Sequence, residues 1–459
     1  VGFGTAWGMA LLAAWLPVAG CAGGPPPRQE APEEASVPAP PPGEHSESYL
    51  RGKEIGREFL AQALRQFQFH TDYDVAGTVS DIGRRLVTAT GADPDTYHFF
   101  VVKNPQANAF AIPGGYIFVF DGLLARLSDE TELAGVLGHE IGHVRHGHFF
   151  KDQKKLAAAD LAVIAAILLG QGGEAVTAFS LAGAASLQLA YSRENEREAD
   201  QTAVEILPKA GYDVRGLTEF FSVLEREERL VLPSSQFTYL STHPGLDERL
   251  DRVSRLIALE GAPHPPPPPP GRWERLSAAL AAEDLGRRPP TGGTLAEGLA
   301  YLNASRYADA RPLLEKAVAD APDSADAHAA LGECLLAMGE REAARGEARR
   351  ALALEPGLVP ALFLVGEVER LEGHEEAARA AFERTVAAAP DHPMAHFRLS
   401  QVLEAKGRVP EARYHLARYL RLTLKPVQAY ATLKAIETPD PDLKARVERE
   451  MAGLREEGI

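Results

Sequence analysis

His139-Glu140-Ile141-Gly142-His143 lies in a stretch, Glu132 to Phe149, that reads as one helix. Residues four apart share a helical face, so His139 and His143 can turn both imidazoles toward one cation. Glu140 stands beside them, placed to take a proton from a water polarised by that cation. The same five residues also fit a surface helix that happens to carry two histidines, so the rest of the chain has to decide. A catalytic zinc takes three protein ligands and keeps one position open. One helix cannot supply three vertices of a tetrahedron, so the third ligand is expected from a separate helix.

Ser192-Arg193-Glu194-Asn195-Glu196-Arg197-Glu198-Ala199-Asp200 is the expected source. Glu196 and Asp200 are four apart and share one face, and Glu194 and Glu198 share another. A carboxylate cluster is ordinarily a solvated face. This one directly follows an apolar segment, so one edge must turn inward. Glu194, Glu198 and His146 compete with Glu196 for the third position. His146 comes about two turns after His139, roughly 10 Å along a helix, which is a long reach for a compact site.

Upstream, Tyr49 to Phe69 and Asp74 to Thr90 carry helical periodicity. Tyr97 to Val102 and Gly115 to Phe120 are aromatic and β-branched, which predicts strands. Ala107 to Ile112 reads as a short third strand, and Pro113-Gly114-Gly115 as a turn. That short strand could offer an edge to an extended peptide. Downstream, Leu156 to Gly170 and Ala175 to Ala190 are Ala-rich and apolar but short for membrane spans. They read as a helical hairpin on the same domain, the alternative being a surface that touches lipid or client. Pro263 to Pro270, broken only by His264, is a stiff polyproline linker and the clearest domain boundary.

Beyond the linker the sequence repeats. Pro322, Pro356 and Pro390 are 34 apart, as are Gly298, Gly332 and Gly366, then Gly339, Gly373 and Gly407. Ala310, Ala344, Ala378 and Ala412 keep the same step. Small residues at fixed offsets let two helices cross closely, and Pro ends the second. This is the tetratricopeptide pattern. About four repeats span Thr291 to Pro426, and Gln428 to Ile459 reads as further helix capping the stack. Cys334 falls on the first helix of a repeat, as a small apolar residue.

The opening of the chain reads as an export signal: Trp7 to Ala19 is mostly apolar, and Val18-Ala19-Gly20-Cys21 resembles a bacterial lipobox with Cys21 as the lipidation site. The chain begins with Val and has no Lys or Arg before Cys21, which departs from that pattern. Ala22 after the Cys suggests outer-membrane sorting. Gly23 to Gly43 is rich in Pro, Glu and Ala and is expected to be an extended tether. A net charge of -16 with no basic stripe argues against a nucleic-acid partner. Two cysteines, Cys21 and Cys334, cannot form a zinc knuckle. The expected fold is mainly α. An α+β domain with a small sheet and the H-E-x-x-H helix precedes an all-α tetratricopeptide superhelix. The expected boundaries are 1–20 signal, 21–45 tether, 46–260 peptidase domain, 261–272 linker and 273–459 repeats.

H-E-x-x-H followed about fifty residues later by Glu196-x-x-x-Asp200 resembles the gluzincin family of CAAX-type and HtpX-type zinc peptidases. Asn108 to Ile117 and Tyr191 to Glu196 are also similar to family stretches. With an export signal and C-terminal repeats, the resemblance is to the BepA-like periplasmic branch. That resemblance implies one Zn2+ held by His139, His143 and Glu196, with Glu140 as general base and Asp200 orienting a ligand imidazole. Thr242-His243-Pro244 and Arg249 resemble a family loop near the metal. There His243 can fill the open zinc position as an inhibitory latch, while Arg249 stabilises an oxyanion or pairs with a carboxylate. The implied activity is zinc endopeptidase in outer-membrane protein quality control, on unfolded or misassembled outer-membrane proteins. The implied partner of the repeats is the outer-membrane assembly machinery, with a membrane lipid anchor at Cys21. The alternative is mainly a chaperone or scaffold with a latched protease domain.

Overall fold

The computed structural model describes residues 47–149, 191–230, 239, 243–260, 265–266, 268, 271–282, 285, 290 and 292–456. The export segment with Cys21, the tether, the Ala-rich hairpin, Thr242 and most of the polyproline run lie outside the described residues.

Four strands form the platform of the first region: β1 Phe69–His70, β2 His98–Val102, β3 Ala109–Ile112 and β4 Tyr116–Phe120, in the order β1-β2-β4-β3. β2 and β4 run parallel, with Phe99 opposite Ile117. β1 and β3 flank them antiparallel, so β3 lies at one edge. Successive side chains alternate between the two faces. Phe110, Ile112, Phe118 and Phe120 meet Ile55, Phe59 and Ala63 of helix α1, Glu47–Gln66. Ala109, Ala111, Ile117 and Val119 face a second core with helix α2, Thr78–Ala89. The helix expected from Tyr49 to Phe69 ends at Gln66 instead. Phe69 pairs with Val102, and the Lys103 amide donates to the Gln68 carbonyl at 2.8 Å, so the ladder takes over the backbone groups that a longer helix would need.

A one-turn helix, α3 Asp121–Leu124, leads into α4, Glu130–Arg145, which carries the H-E-x-x-H segment. Asp129 caps α4 by accepting from the amides of Thr131 and Glu132 at 2.8 and 3.0 Å. Glu132 accepts from the Ser128 amide at 2.6 Å, completing a reciprocal cap. Every residue of α4 from Glu130 to His143 is buried. The helix expected to continue to Phe149 stops at Arg145, because Gly147 adopts φ +61 and turns the chain.

Three further helices close the site: α5 Arg193–Lys209, α6 Arg215–Leu230 and α7 Leu246–Glu260. Helix α8, Arg272–Ala282, then joins both regions. Its Trp273 and Leu276 pack in the first region's core, and its Ala278 and Ala281 in the first core of the repeats. Arg272 pairs with buried Glu130 at the start of α4. Four helix pairs follow: α9 Gly293–Asn303 with α10 Tyr307–Asp320, α11 Ala325–Ala337 with α12 Arg341–Leu354, α13 Val359–Leu371 with α14 Glu375–Ala388, and α15 Pro393–Ala405 with α16 Val409–Leu422. Two more helices, α17 Pro426–Lys434 and α18 Pro441–Glu456, end the array. The fold is therefore mainly α, with a small sheet under the H-E-x-x-H helix and an all-helical repeat region after it. No helix among the described residues is long and apolar enough to cross a membrane.

Candidate metal centre

Helices α4 and α5 touch backbone to backbone. A Cβ on Gly142 would lie 2.7 Å from the Ala199 Cα and 2.9 Å from its carbonyl oxygen, so only glycine fits there. Ser192 caps α5 by accepting from the Asn195 amide at 3.2 Å. With the helices this close, Glu196 and Asp200 face His139 and His143 directly. His139 Nε2 and His143 Nε2 are 2.9 Å apart. Glu196 lies 3.5 Å from the first through Oε2 and 3.4 Å from the second through Oε1. Glu194 points away, exposed and paired with Arg197 at 3.0 Å. His146 bonds Thr202 Oγ1 at 3.0 Å and stays off the cluster. Glu198 turns to His148, with 2.8 Å between Nε2 and Oε2. Of the four candidates for third ligand, Glu196 is the one that His139 and His143 meet.

The loop before α7 closes the cluster. His243 is fully buried, with Nδ1 3.1 Å from Glu196 Oε1 and 3.3 Å from His139 Nε2. Its ring lies nearly flat on Tyr239, 4.2 Å between centroids at 19°. One donor atom from each of His139, His143, Glu196 and His243 lies within 4.8 Å of the others. Three imidazoles and a carboxylate, all buried, form a donor set suited to a divalent cation. Both Glu140 oxygens are buried without a hydrogen-bond partner among the described residues, and Oε1 lies 3.7 Å from His243 Nε2. The residues therefore fit a metal.

Behind the cluster lies a charged layer. Asp200 Oδ1 is 2.9 Å from His139 Nδ1, which turns that ring's Nε2 lone pair toward the shared space. Arg249 donates to Asp200 through Nε at 3.0 Å and Nη2 at 2.7 Å, and its Nη1 lies 2.6 Å from Glu196. Arg249 thus contacts the carboxylates of both Asp200 and Glu196. Arg252 also donates to Asp200, at 2.6 Å. Burial alone would raise the Asp200 carboxyl, but Arg249 and the bond to His139 outweigh it and hold the group ionised, well below the usual range. Burial also works against the Glu196 charge, and there His243 and Arg249 prevail and keep its pKa low. Glu140 shows the reverse: burial raises its pKa against the pull of His243 and His139. Burial, with His139 and His243 adding to it, keeps His143 neutral, its lone pair free for a cation.

His148, Arg252 and Tyr239 are members of this site that their sequence surroundings do not announce. The Gly147 that breaks α4 is the available signal for His148, because a turn there brings the next histidine back over the site.

Residues 75–257 match the profile of Peptidase family M48, and residues 301–362 and 372–426 match two tetratricopeptide-repeat profiles. The chain is similar to a putative beta-barrel assembly-enhancing protease of Vibrio cholerae, 30% identical over 270 residues, 54% of this chain and 55% of that one. It is also similar to the beta-barrel assembly-enhancing protease of Yersinia pestis, 31% identical over 268 residues, 53% of this chain and 54% of that one. It spans about half the length of these curated relatives. Among solved structures, a thermophilic tetratricopeptide-repeat protein of Thermus thermophilus aligns at 20% identity and TM-score 0.27, over 43% of this chain and 95% of that one. The chain therefore carries a region that matches Peptidase family M48, followed by regions that match tetratricopeptide repeats.

Proposed function

We propose that this protein is a zinc endopeptidase of the bacterial envelope, lipid-anchored through Cys21 in the periplasm at the outer membrane, that cleaves misfolded or stalled outer-membrane proteins. The observation that carries the catalytic part is the convergence of His139, His143 and Glu196 on one buried point beside Glu140. These three residues hold one zinc ion per chain. When bound, zinc polarises a carbonyl and acidifies water. Glu140, its pKa raised by burial, accepts the proton of the attacking water and passes it to the leaving amine. Asp200 fixes the tautomer and direction of His139. Arg249 neutralises Asp200 and Glu196 and so keeps the buried charges in place. Strand β3 lies at the sheet edge, but all four of its residues are buried, so an extended client segment would have to uncover it before pairing there.

His243 is the latch. Its Nδ1 lies 3.3 Å from His139 Nε2 and 3.1 Å from Glu196 Oε1, close enough for the imidazole to take the position that substrate and water would need. The envelope role and the outer-membrane clients rest on the names of the relatives and on the export-like opening of the sequence. The repeats are the docking half, for the outer-membrane assembly machinery.

Glu140→Gln tests the chemistry: zinc content should stay at one per chain while cleavage of an unfolded outer-membrane protein falls by about 10²–10⁴-fold. Retained cleavage would end the peptidase reading. His243→Ala should raise cleavage, and unchanged or lower activity would remove the latch. The second reading, a scaffold with a silent protease, is favoured by the extent of the repeat array. It prevails if the Glu140→Gln protein fully restores envelope integrity in a deletion strain.

A further inference from the structure

The two histidines of the H-E-x-x-H segment are held from behind by different devices. His139 has Asp200 against its Nδ1. His143 has an imidazole in the same place: His148 Nδ1 lies 2.9 Å from His143 Nδ1. The other nitrogen of His148 meets Glu198 Oε2 at 2.8 Å. One proton assignment satisfies every atom in this line. His148 donates from Nε2 to the Glu198 carboxylate, which leaves its Nδ1 with a lone pair. His143 donates its Nδ1 proton to that lone pair, which leaves its Nε2 bare toward Glu196 and His139. We propose that His148 and Glu198 are the positioning pair of His143, fixing its tautomer and ring direction as Asp200 does for His139.

This rests on the metal reading above. A second cation held by His146, His148 and Glu198 is the rival, since these three also lie close together. His146 Nδ1 lies 3.8 Å from the same Glu198 oxygen that His148 meets at 2.8 Å, so the zinc count of the protein decides between the two readings. His146 spends Nε2 on Thr202. His148 is fully buried, whereas the Glu198 side chain is 34% exposed, so changes at Glu198 leave the core intact.

The test measures zinc affinity of the full-length protein by chelator competition, together with the visible spectrum of the Co2+-loaded form. His148→Leu should weaken zinc about 10–100-fold and shift the cobalt bands. Glu198→Ala should act in the same direction by a smaller factor, and Glu198→Gln, which still accepts from His148, should restore most of the affinity. If wild type binds one zinc and Glu198→Ala keeps both its affinity and its cobalt spectrum, the positioning role is overturned, even where His148→Leu does not fold. Two zinc ions per chain, one lost in Glu198→Ala, would replace the proposal with the second metal site. Wild type that binds no zinc would sink the metal reading itself, and this pair with it.

Discussion

The repeat region and the peptidase region are built from similar helices and depend on opposite kinds of contact. In the repeats, each helix pair packs on the next along the chain, so α9 to α16 form a stack of near neighbours. In the peptidase region, the decisive contacts span the sequence: His139 meets Glu196 and His243, and Arg249 reaches back to Asp200. Damage in a stack of neighbours stays local. Damage in a cluster assembled from separate segments strands every member at once, because each buried charge relies on the others.

Arg249→Met should break the cluster most severely. It leaves Asp200 and Glu196 buried with one guanidinium removed, and loss of a buried partner costs about 3–5 kcal/mol. Hydrogen exchange should show lost protection in α4 and α5 while α13 to α16 stay protected. Equal loss in both regions would erase the contrast.

Buried histidines with lowered pKa give both regions an acid-side response, and the peptidase region should add an alkaline one. In the peptidase region, burial alone would lower the His70 pKa, but the carboxylates of Asp121 and Asp72 outweigh it and raise it to about 9. The unfolded value is near 6.5, so this stabilisation is full below about pH 6.5 and is lost as pH rises through about 9. It amounts to no more than about 3 kcal/mol. In the last repeat, burial with nearby Arg418 lowers His396 to about 4, and burial with His396 lowers His415 to about 3. Their contribution is present above about pH 6.5 and fades as pH falls toward about 4. Denaturation followed from pH 4 to 9.5 should show both slopes, and His70→Gln should flatten the alkaline one alone.

Gly373→Ala is the mild case. Gly373 has φ +79 between α13 and α14, and a Cβ there would touch nothing. The cost is the left-handed backbone alone, about 1 kcal/mol. It should appear as a small shift of the denaturation midpoint, with the zinc affinity of the peptidase region unchanged.

Much of this architecture is written locally. Helix pairs repeat because glycines, alanines and prolines recur every 34 residues, and the fold of a repeat needs only itself and its neighbours. The strands of the sheet were legible from their aromatic and β-branched runs, except for β1, two residues long and carried by its pairing with Val102. His139, Glu140 and His143 declare themselves by their spacing on one helix. Which carboxylate completes them could not be read from spacing, since Glu194, Glu196 and Glu198 lie on one helix within five residues. The near contact of Gly142 with Ala199 sets the rotation of α5 and turns Glu196 inward. The partners that His148 and Arg249 meet were likewise decided by the tertiary structure. Local sequence determines which helices form and which face is apolar. The groups that share one buried point depend on the packing of segments far apart in the chain, where a glycine's missing Cβ sets how closely two helices can meet.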